Sequence, residues 1–111
     1  MAFDENIADR IRTALQHVPS VKEKKMFGGL AFMVNDKMCI TTKDDRIMLR
    51  IDPIINDELI QTKKCEQVIM RGRILKGYIH INSENFKNKK GLIYWIQLAL
   101  NYNKISASSK K

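Results

Sequence analysis

Three turn signals divide residues 22–51 into short segments, and this pattern constrains the fold more than any other feature of the sequence. Gly28-Gly29, Asn35-Asp36 and Asp44-Asp45 separate runs that are rich in Met, Phe, Ile, Val and Thr. Short runs of this composition between turn residues are typical of consecutive antiparallel strands, and they argue against strands that alternate with helices. The pattern predicts four short strands, at about residues 22–27, 30–35, 38–42 and 46–51.

Two helical patterns flank this run of strands. Apolar residues recur with helical spacing over residues 4–16, and the Asp4 carboxylate can accept the free N–H groups of the first turn. Asp52-Pro53 indicates a second helix start, because a capping carboxylate precedes proline at the first helical position. We therefore predict a helix over about residues 53–62, with three apolar side chains packed inward: Ile54, Ile55 and Leu59.

The C-terminal half predicts a hairpin followed by a third helix. Residues 67–70 and 75–81 have strand-like composition on either side of the turn Arg71-Gly72-Arg73. Asn88 is a suitable cap for a helix over about residues 89–103. The apolar residues of this helix cover a wide arc, so it is expected to be well buried or to pack against two partners.

These elements define the predicted fold class, which is α+β. We expect an antiparallel sheet of about five to six short strands, with N-terminal, middle and C-terminal helices packed on it. The length of 111 residues suits one domain, which we place at residues 3–103. Residues 104–111 are rich in Ser and Lys and are expected to form a flexible tail.

The composition indicates a cytoplasmic globular protein. No apolar stretch reaches the ~20 residues that a membrane span needs, and the first residues lack the basic-then-apolar pattern of a signal peptide. The two cysteines, Cys39 and Cys65, are too few for a disulfide framework, so two reduced thiols are expected.

The charge distribution is uneven along the chain. The net charge is +8, but residues 1–62 carry 9 Lys/Arg against 10 Asp/Glu, whereas residues 63–111 carry 11 against 2. A basic half indicates an acidic partner, either nucleic acid or an acidic protein surface. The alternative is a solvated face that only keeps a small protein in solution.

Signals for catalysis are weak. His17 and His80 have no carboxylate or nucleophile placed beside them by the sequence, so structural roles are expected. Cys39 lies in an apolar strand and is expected to be buried. Cys65 follows two lysines, which leaves open a lowered thiol pKa and a reactive thiol. Phosphate-binding loops, zinc-protease motifs and serine-hydrolase motifs do not occur in the sequence. We therefore expect no catalytic residue, no cofactor and no metal site.

Two glycine-containing segments combine exposed backbone with positive charge, as an anion-binding surface would require. One places lysines before a Gly-Gly pair, and the other surrounds two glycines with cations and a tyrosine. The alternative is that these glycines serve turns, bulges and close strand packing. The residues of this candidate interaction surface are Lys24, Lys25, Gly28, Gly29, Arg71, Arg73, Lys76 and Tyr78.

Five of the six methionines lie in predicted strand or hairpin regions, at positions 26, 33, 38, 48 and 70. Methionine is unbranched and polarizable, so it fills irregular gaps in cores and also lines adaptable docking surfaces. Core filling is the expected role, and a docking surface is the alternative.

The chain resembles the N-terminal domain of the TfoX/Sxy family, bacterial proteins that are linked to the regulation of natural competence. The resemblance extends over residues 3 to about 102 and includes Trp95 in the last predicted helix. It rests on an acidic first turn followed by four short motifs: Ile7–Arg12, Lys25–Met33, Met48–Arg50 and Gly72–Tyr78. It implies an α+β domain with an antiparallel sheet, and a bacterial, cytosolic, non-enzymatic protein tied to transcriptional control. Competence regulators of the family carry a second, helical C-terminal domain, so a single-domain member is expected here.

Three hypotheses for the function follow. The first is a non-enzymatic regulatory or interaction module with a protein partner, which it contacts through the basic region 63–90 and the Gly28-Gly29 turn. The second is direct, largely sequence-independent binding of nucleic acid through the basic C-terminal half. The third is a small enzyme or anion-binding domain that uses Cys65 or the cation-glycine turns. Membrane partners are not expected, and the chain is expected to be a monomer or a homodimer.

Overall fold

One antiparallel sheet forms the framework of the molecule. The computed structural model describes residues 3–26 and 28–106. Within these residues, the strands are β1 (Val21–Met26), β2 (Gly29–Val34), β3 (Lys37–Lys43), β4 (Arg46–Arg50), β5 (Glu66–Met70) and β6 (Arg73–Asn82). All six form one antiparallel sheet in the order β1-β2-β3-β4-β6-β5. The predicted α+β class and the predicted strands are confirmed, except that Phe27 in the first of them lies outside the described residues.

The described part of the chain also contains the N-terminal, middle and C-terminal helices: α1 (Glu5–Leu15), α2 (Asn56–Gln61) and α3 (Lys89–Ile105). The predicted caps are confirmed. Asp4 accepts the backbone N–H groups of Asn6 at 2.8 Å and Ile7 at 3.3 Å. Asn88 accepts the N–H of Gly91 at 2.7 Å, and Asp52 accepts that of Ile54 at 3.0 Å. These side chains satisfy N–H groups that have no partner inside a helix.

The middle helix differs from its prediction. Pro53–Ile55 forms a separate 3₁₀ turn before α2 begins at Asn56. Ile54 is 87% exposed, so the prediction that it packs inward is wrong. A 3₁₀ turn has three residues per turn instead of 3.6, so it orients its side chains differently from a regular helix. Asn56 is buried and Ile55 packs partly against the core, whereas Pro53 and Ile54 face solvent.

The helices pack on one face of the sheet. Inward-facing residues of the strands, such as Phe32, Leu49 and Ile79, are fully buried and form one cluster with apolar residues of the helices. Trp95 of α3 is buried in the same cluster and donates its indole N–H to the Asn85 carbonyl at 3.0 Å. The wide apolar arc of α3 is thus used largely inside this chain.

Polar contacts attach both long helices to the sheet. Arg12 of α1 forms a bidentate pair with Glu23 of β1, with N···O distances of 2.7 and 2.9 Å. The Lys37 ammonium donates to the carbonyls of Asn103 at 2.5 Å and Ser106 at 3.0 Å, at the C-terminal end of α3. A cation in this position is favourable because the last carbonyls of a helix carry partial negative charge. Residues 107–111, most of the predicted tail, lie outside the described residues.

Candidate interaction surfaces

The residues of the candidate interaction surface lie in two separate places. Lys24 and Lys25 belong to β1, which is one edge of the sheet, and Gly28 directly precedes Gly29, the first residue of β2. The other residues, Arg71, Arg73, Lys76 and Tyr78, belong to the hairpin of β5 and β6 at the opposite edge. Three strands, β2, β3 and β4, lie between β1 and this hairpin, so the two groups of residues do not form one surface.

The Gly28-Gly29 segment is a tight connection. Gly28 has a φ of +75°, which glycine adopts without steric cost. A Cβ on Gly29 would lie 2.4 Å from the Thr42 carbonyl oxygen of the neighbouring strand. Lys24 pairs with Ala31 and Lys25 with Leu30, so their side chains point to opposite faces of the sheet. The structure therefore supports the turn and close-packing interpretation of these glycines.

The β5–β6 hairpin extends beyond the rest of the sheet. β4 pairs with β6 only from Tyr78 to Asn82, and beyond this stretch Arg73 and Ile74 pair with β5 alone. We call residues 69–76 the arm. Its turn has positive φ at Arg71, +54°, and at Gly72, +77°, as a two-residue type I′ hairpin turn requires.

Three large apolar side chains on the arm face solvent. Ile69 is 63% exposed, Met70 52% and Ile74 60%. Ile69 and Ile74 lie directly opposite each other across the two strands. Arg71 and Arg73 are exposed beside them and form no salt bridge with any described residue. The arm thus combines apolar area with unpaired positive charge.

A bulge sets the direction of the arm. Gln67 pairs with Ile79 but Ile69 pairs with Ile74, so β6 contributes extra residues between these pairs. The side-chain amide of Gln67 fills the gap by donating to the carbonyls of Leu75 at 2.9 Å and Tyr78 at 3.1 Å. Bulges bend a strand and re-aim the residues beyond it.

Asn56 completes this bulge. It is fully buried, donates to the Gln67 side-chain oxygen at 2.7 Å and accepts the Gly77 N–H at 2.9 Å. Gly77 has a φ of +92°, so the bulge needs glycine there. Because its N–H is already bonded, Gly77 does not offer a free donor to an anion.

An ion pair joins the base of the arm to α2. The Lys76 ammonium lies 3.1 Å from the Asp57 carboxylate. Hydrogen bonding from Lys76, together with that from Asn56, holds the pKa of Asp57 below its usual value. Both side chains are exposed, so this pair contributes little to stability. Its consequence is that Arg71 and Arg73, and not Lys76, carry the unpaired charge of the arm.

The two cysteines, Cys39 and Cys65, are both buried and free. Burial raises the pKa of Cys39 to about 12 and also raises the pKa of Cys65, where the nearby Glu66 adds to the effect. The raised pKa does not support a lysine-activated Cys65, and the buried thiol points to the Leu59 carbonyl, with Sγ and the oxygen 3.4 Å apart.

His17 is exposed just after α1, and His80 is half-buried in β6. Burial lowers the pKa of His80, and the positive charge of Arg46 lowers it further. Among the described residues, no group of three His, Cys, Asp or Glu side chains could hold a metal ion. No helix in the same residues is long and apolar enough to cross a membrane.

Sequence reasoning missed the apolar residues of the arm and the amides that brace it. Ile69 and Ile74 each lie two positions from the two-residue turn Arg71-Gly72, and this spacing is the signal that could have identified an exposed pair at a hairpin tip. Asn56 and Gln67 had no such signal, because their pairing joins two different elements.

Fold and surfaces together define a small antiparallel-sheet domain with helices on one face and a projecting hairpin at one edge. The TfoX N-terminal domain family matches residues 13–102, so the chain belongs to this family. A comparison with curated proteins finds no match.

Proposed function

We propose that this protein is a non-enzymatic regulatory module that binds a protein partner through the arm. The observation that carries the proposal is the exposed Ile69–Ile74 pair beside Arg71 and Arg73. Exposed apolar patches with a polar rim are typical of protein interaction sites, and arginine is enriched in interfaces. The complementary partner surface is an apolar groove with acidic residues along its rim.

The shape of the arm supports this function. The amides of Asn56 and Gln67 and the type I′ turn hold the hairpin in one conformation before it meets a partner. A surface that is already ordered loses less conformational entropy on binding. Membership of the TfoX family supports a regulatory role in transcription, as the resemblance implies.

The arm is tested by capturing partners from a bacterial lysate with the full chain and quantifying them by mass spectrometry. We expect Ile69→Ser/Ile74→Ser and Arg71→Glu/Arg73→Glu to reduce recovery of the same partner at least about tenfold, since both remove contacts from the centre of the interface. Lys25→Glu/Lys104→Glu is the matched control, because it makes an equal change of charge at exposed positions away from the arm. Unchanged recovery of every partner with both arm variants would show the proposal to be wrong.

Direct binding of nucleic acid is the second candidate function, and a lysine-lined groove favours it. The groove has a volume of about 530 Å³, and its lining includes Lys64, Lys87, Lys90 and Tyr94, together with the acidic Glu84. Tyr94 is 51% exposed and lies edge-on to Trp95 with ring centroids 5.0 Å apart. Cations that contact phosphates and an aromatic face that stacks on a base are the elements of sequence-independent binding.

The groove is tested with a labelled random duplex by fluorescence anisotropy between 50 and 200 mM salt. About four phosphate contacts would weaken binding by roughly 100-fold over this range. We expect Lys87→Ala/Lys90→Ala to reduce the slope of log affinity against log salt by about 2. Absence of binding at 50 mM salt, or a slope that these changes leave unaltered, would exclude this function for the groove.

A further inference from the structure

The face of the sheet opposite the helices, which we call the open face, is lined by methionines. Met33 pairs with Met38, and Met48 pairs with Thr41 on one side and His80 on the other. Residues directly opposite each other in an antiparallel pair share a face. The Thr41 hydroxyl lies 3.5 Å from the Met38 sulfur, which places both side chains together.

The core cluster of the helices lies on the other face of the sheet, while Tyr102 of α3 reaches Arg50 at the margin of the open face, with 5.5 Å between the guanidinium carbon and the ring centroid. The neighbours of the methionines along their strands, such as Phe32 and Leu49, point the other way and are fully buried in the core cluster. Buried apolar residues of α1, α2 and α3 belong to that same cluster. Met33, Met38 and Met48 are half-buried on the open face.

Positive charge borders the methionines on two sides. Lys24 lies opposite Ala31 on the edge strand, and Lys43 pairs with Arg46 at one end of β3 and β4. These three cations form no salt bridge within the described part of the chain. Two acidic residues lie near this face: Asp36, whose carboxylate is 3.8 Å from the ammonium of Lys22 opposite Met33, and Glu66, which lies opposite His80 on the other edge.

We propose that the open face binds an amphipathic helix of a partner protein. The apolar side of that helix packs on Met33, Met38 and Met48, and its acidic residues face Lys24, Lys43 and Arg46. A helix is about 10–12 Å across, and the methionine-bearing strands β2 to β4 span about 10 Å. Methionine suits such a site because its flexible, polarizable side chain adapts to the ridges of a helix.

The chemistry of the face favours a helix over a nucleic acid strand. Single strands bind to platforms of aromatic side chains on which successive bases stack. By register, Tyr78 lies at the side of this face, opposite Arg50, and His80 lies beside Met48, whereas Met33, Met38 and Thr41 occupy the rest of the centre. The site is also separate from the arm, so it adds a second recognition surface to the proposed function.

The probe is a labelled 18-residue amphipathic peptide, with leucine along one side and glutamate along the other, titrated against the full chain. We expect Lys24→Glu to weaken its binding about tenfold, and Met48→Ser to weaken it by a similar factor, because each removes a contact of the helix. Lys25→Glu is the matched control, since Lys25 is the next residue on the same strand and points to the opposite face. It should leave affinity nearly unchanged.

Amide chemical-shift mapping locates the peptide, and a peptide with lysine in place of glutamate tests the charge. Shifts should concentrate on β2, β3 and β4, and the lysine peptide should not bind. The proposal is wrong if the acidic peptide fails to bind, if Lys25→Glu weakens it as much as Lys24→Glu, or if a single-stranded oligonucleotide and not the peptide shifts these strands. Ile69→Ser/Ile74→Ser should retain peptide binding, so failure here is distinguishable from failure of the arm.

Discussion

Gly29→Ala is expected to lower the free energy of unfolding by about 3 kcal/mol, as overpacking at a rigid site does. The added Cβ would lie 2.4 Å from the Thr42 carbonyl oxygen and 3.1 Å from the Lys43 Cβ. The first of these atoms is backbone of β3, which is paired with strands on both sides and cannot move independently. The clash therefore has to be relieved by distorting the sheet.

The measurement is urea unfolding, with the melting temperature as a second readout. A loss of about 3 kcal/mol corresponds to a fall of roughly 10–20 °C for a domain of this size. Gly72→Ala is the control, because Gly72 has positive φ but nothing within 4 Å of an added Cβ. Its backbone strain should cost only about 1–2 kcal/mol. If Gly29→Ala were no more destabilising than Gly72→Ala, close strand packing would not be the reason for glycine at position 29.

Local signals predicted the elements well, because their causes are local. The carboxylates of Asp4 and Asp52 and the amide of Asn88 cap the positions that their spacing indicated. The turn at Arg71-Gly72 also lies where composition placed it. In each of these cases the residues that determine the structure are near neighbours in the chain.

The arrangement of the candidate surface could not be predicted in the same way. Whether Lys24 and Arg73 meet depends on which edge of the sheet receives the last hairpin. That choice is made by packing between distant segments, and no local pattern encodes it. The same limit applied to Ile54, whose orientation follows from a 3₁₀ turn in place of a regular helix.

The β5–β6 bulge shows most clearly why part of the arm could not be predicted from the sequence. Gln67 looks like a surface residue of a short strand, and Asn56 looks like a helix-start residue. In the structure the two amides bond to each other at 2.7 Å and to backbone groups of β6. Their function exists only after α2, β5 and β6 have come together.

Asn56→Ala is expected to lower the free energy of unfolding by about 3–4 kcal/mol. The change removes the acceptor of the buried Gly77 N–H and the partner of the Gln67 amide. Each buried polar group left without a partner costs about 1–3 kcal/mol, and members of one network are lost together. Urea unfolding measures the loss, and amide hydrogen exchange should show faster opening of residues 69–76.

Asn85→Ala is the matched control for Asn56→Ala. Asn85 also donates a side-chain hydrogen bond to backbone, at 3.0 Å to Lys64, but this bond is exposed to solvent. Its loss should cost less than about 1 kcal/mol. Gln67→Ala and the double variant complete a double-mutant cycle. The double variant should lose less stability than the sum of the losses of the two single variants, because both changes break the same network. The prediction is contradicted if Asn56→Ala destabilises the protein no more than Asn85→Ala and leaves hydrogen exchange in the arm unchanged. In that case the Asn56–Gln67 amide pair does not orient the arm, and the order of the arm before it binds a partner has another source.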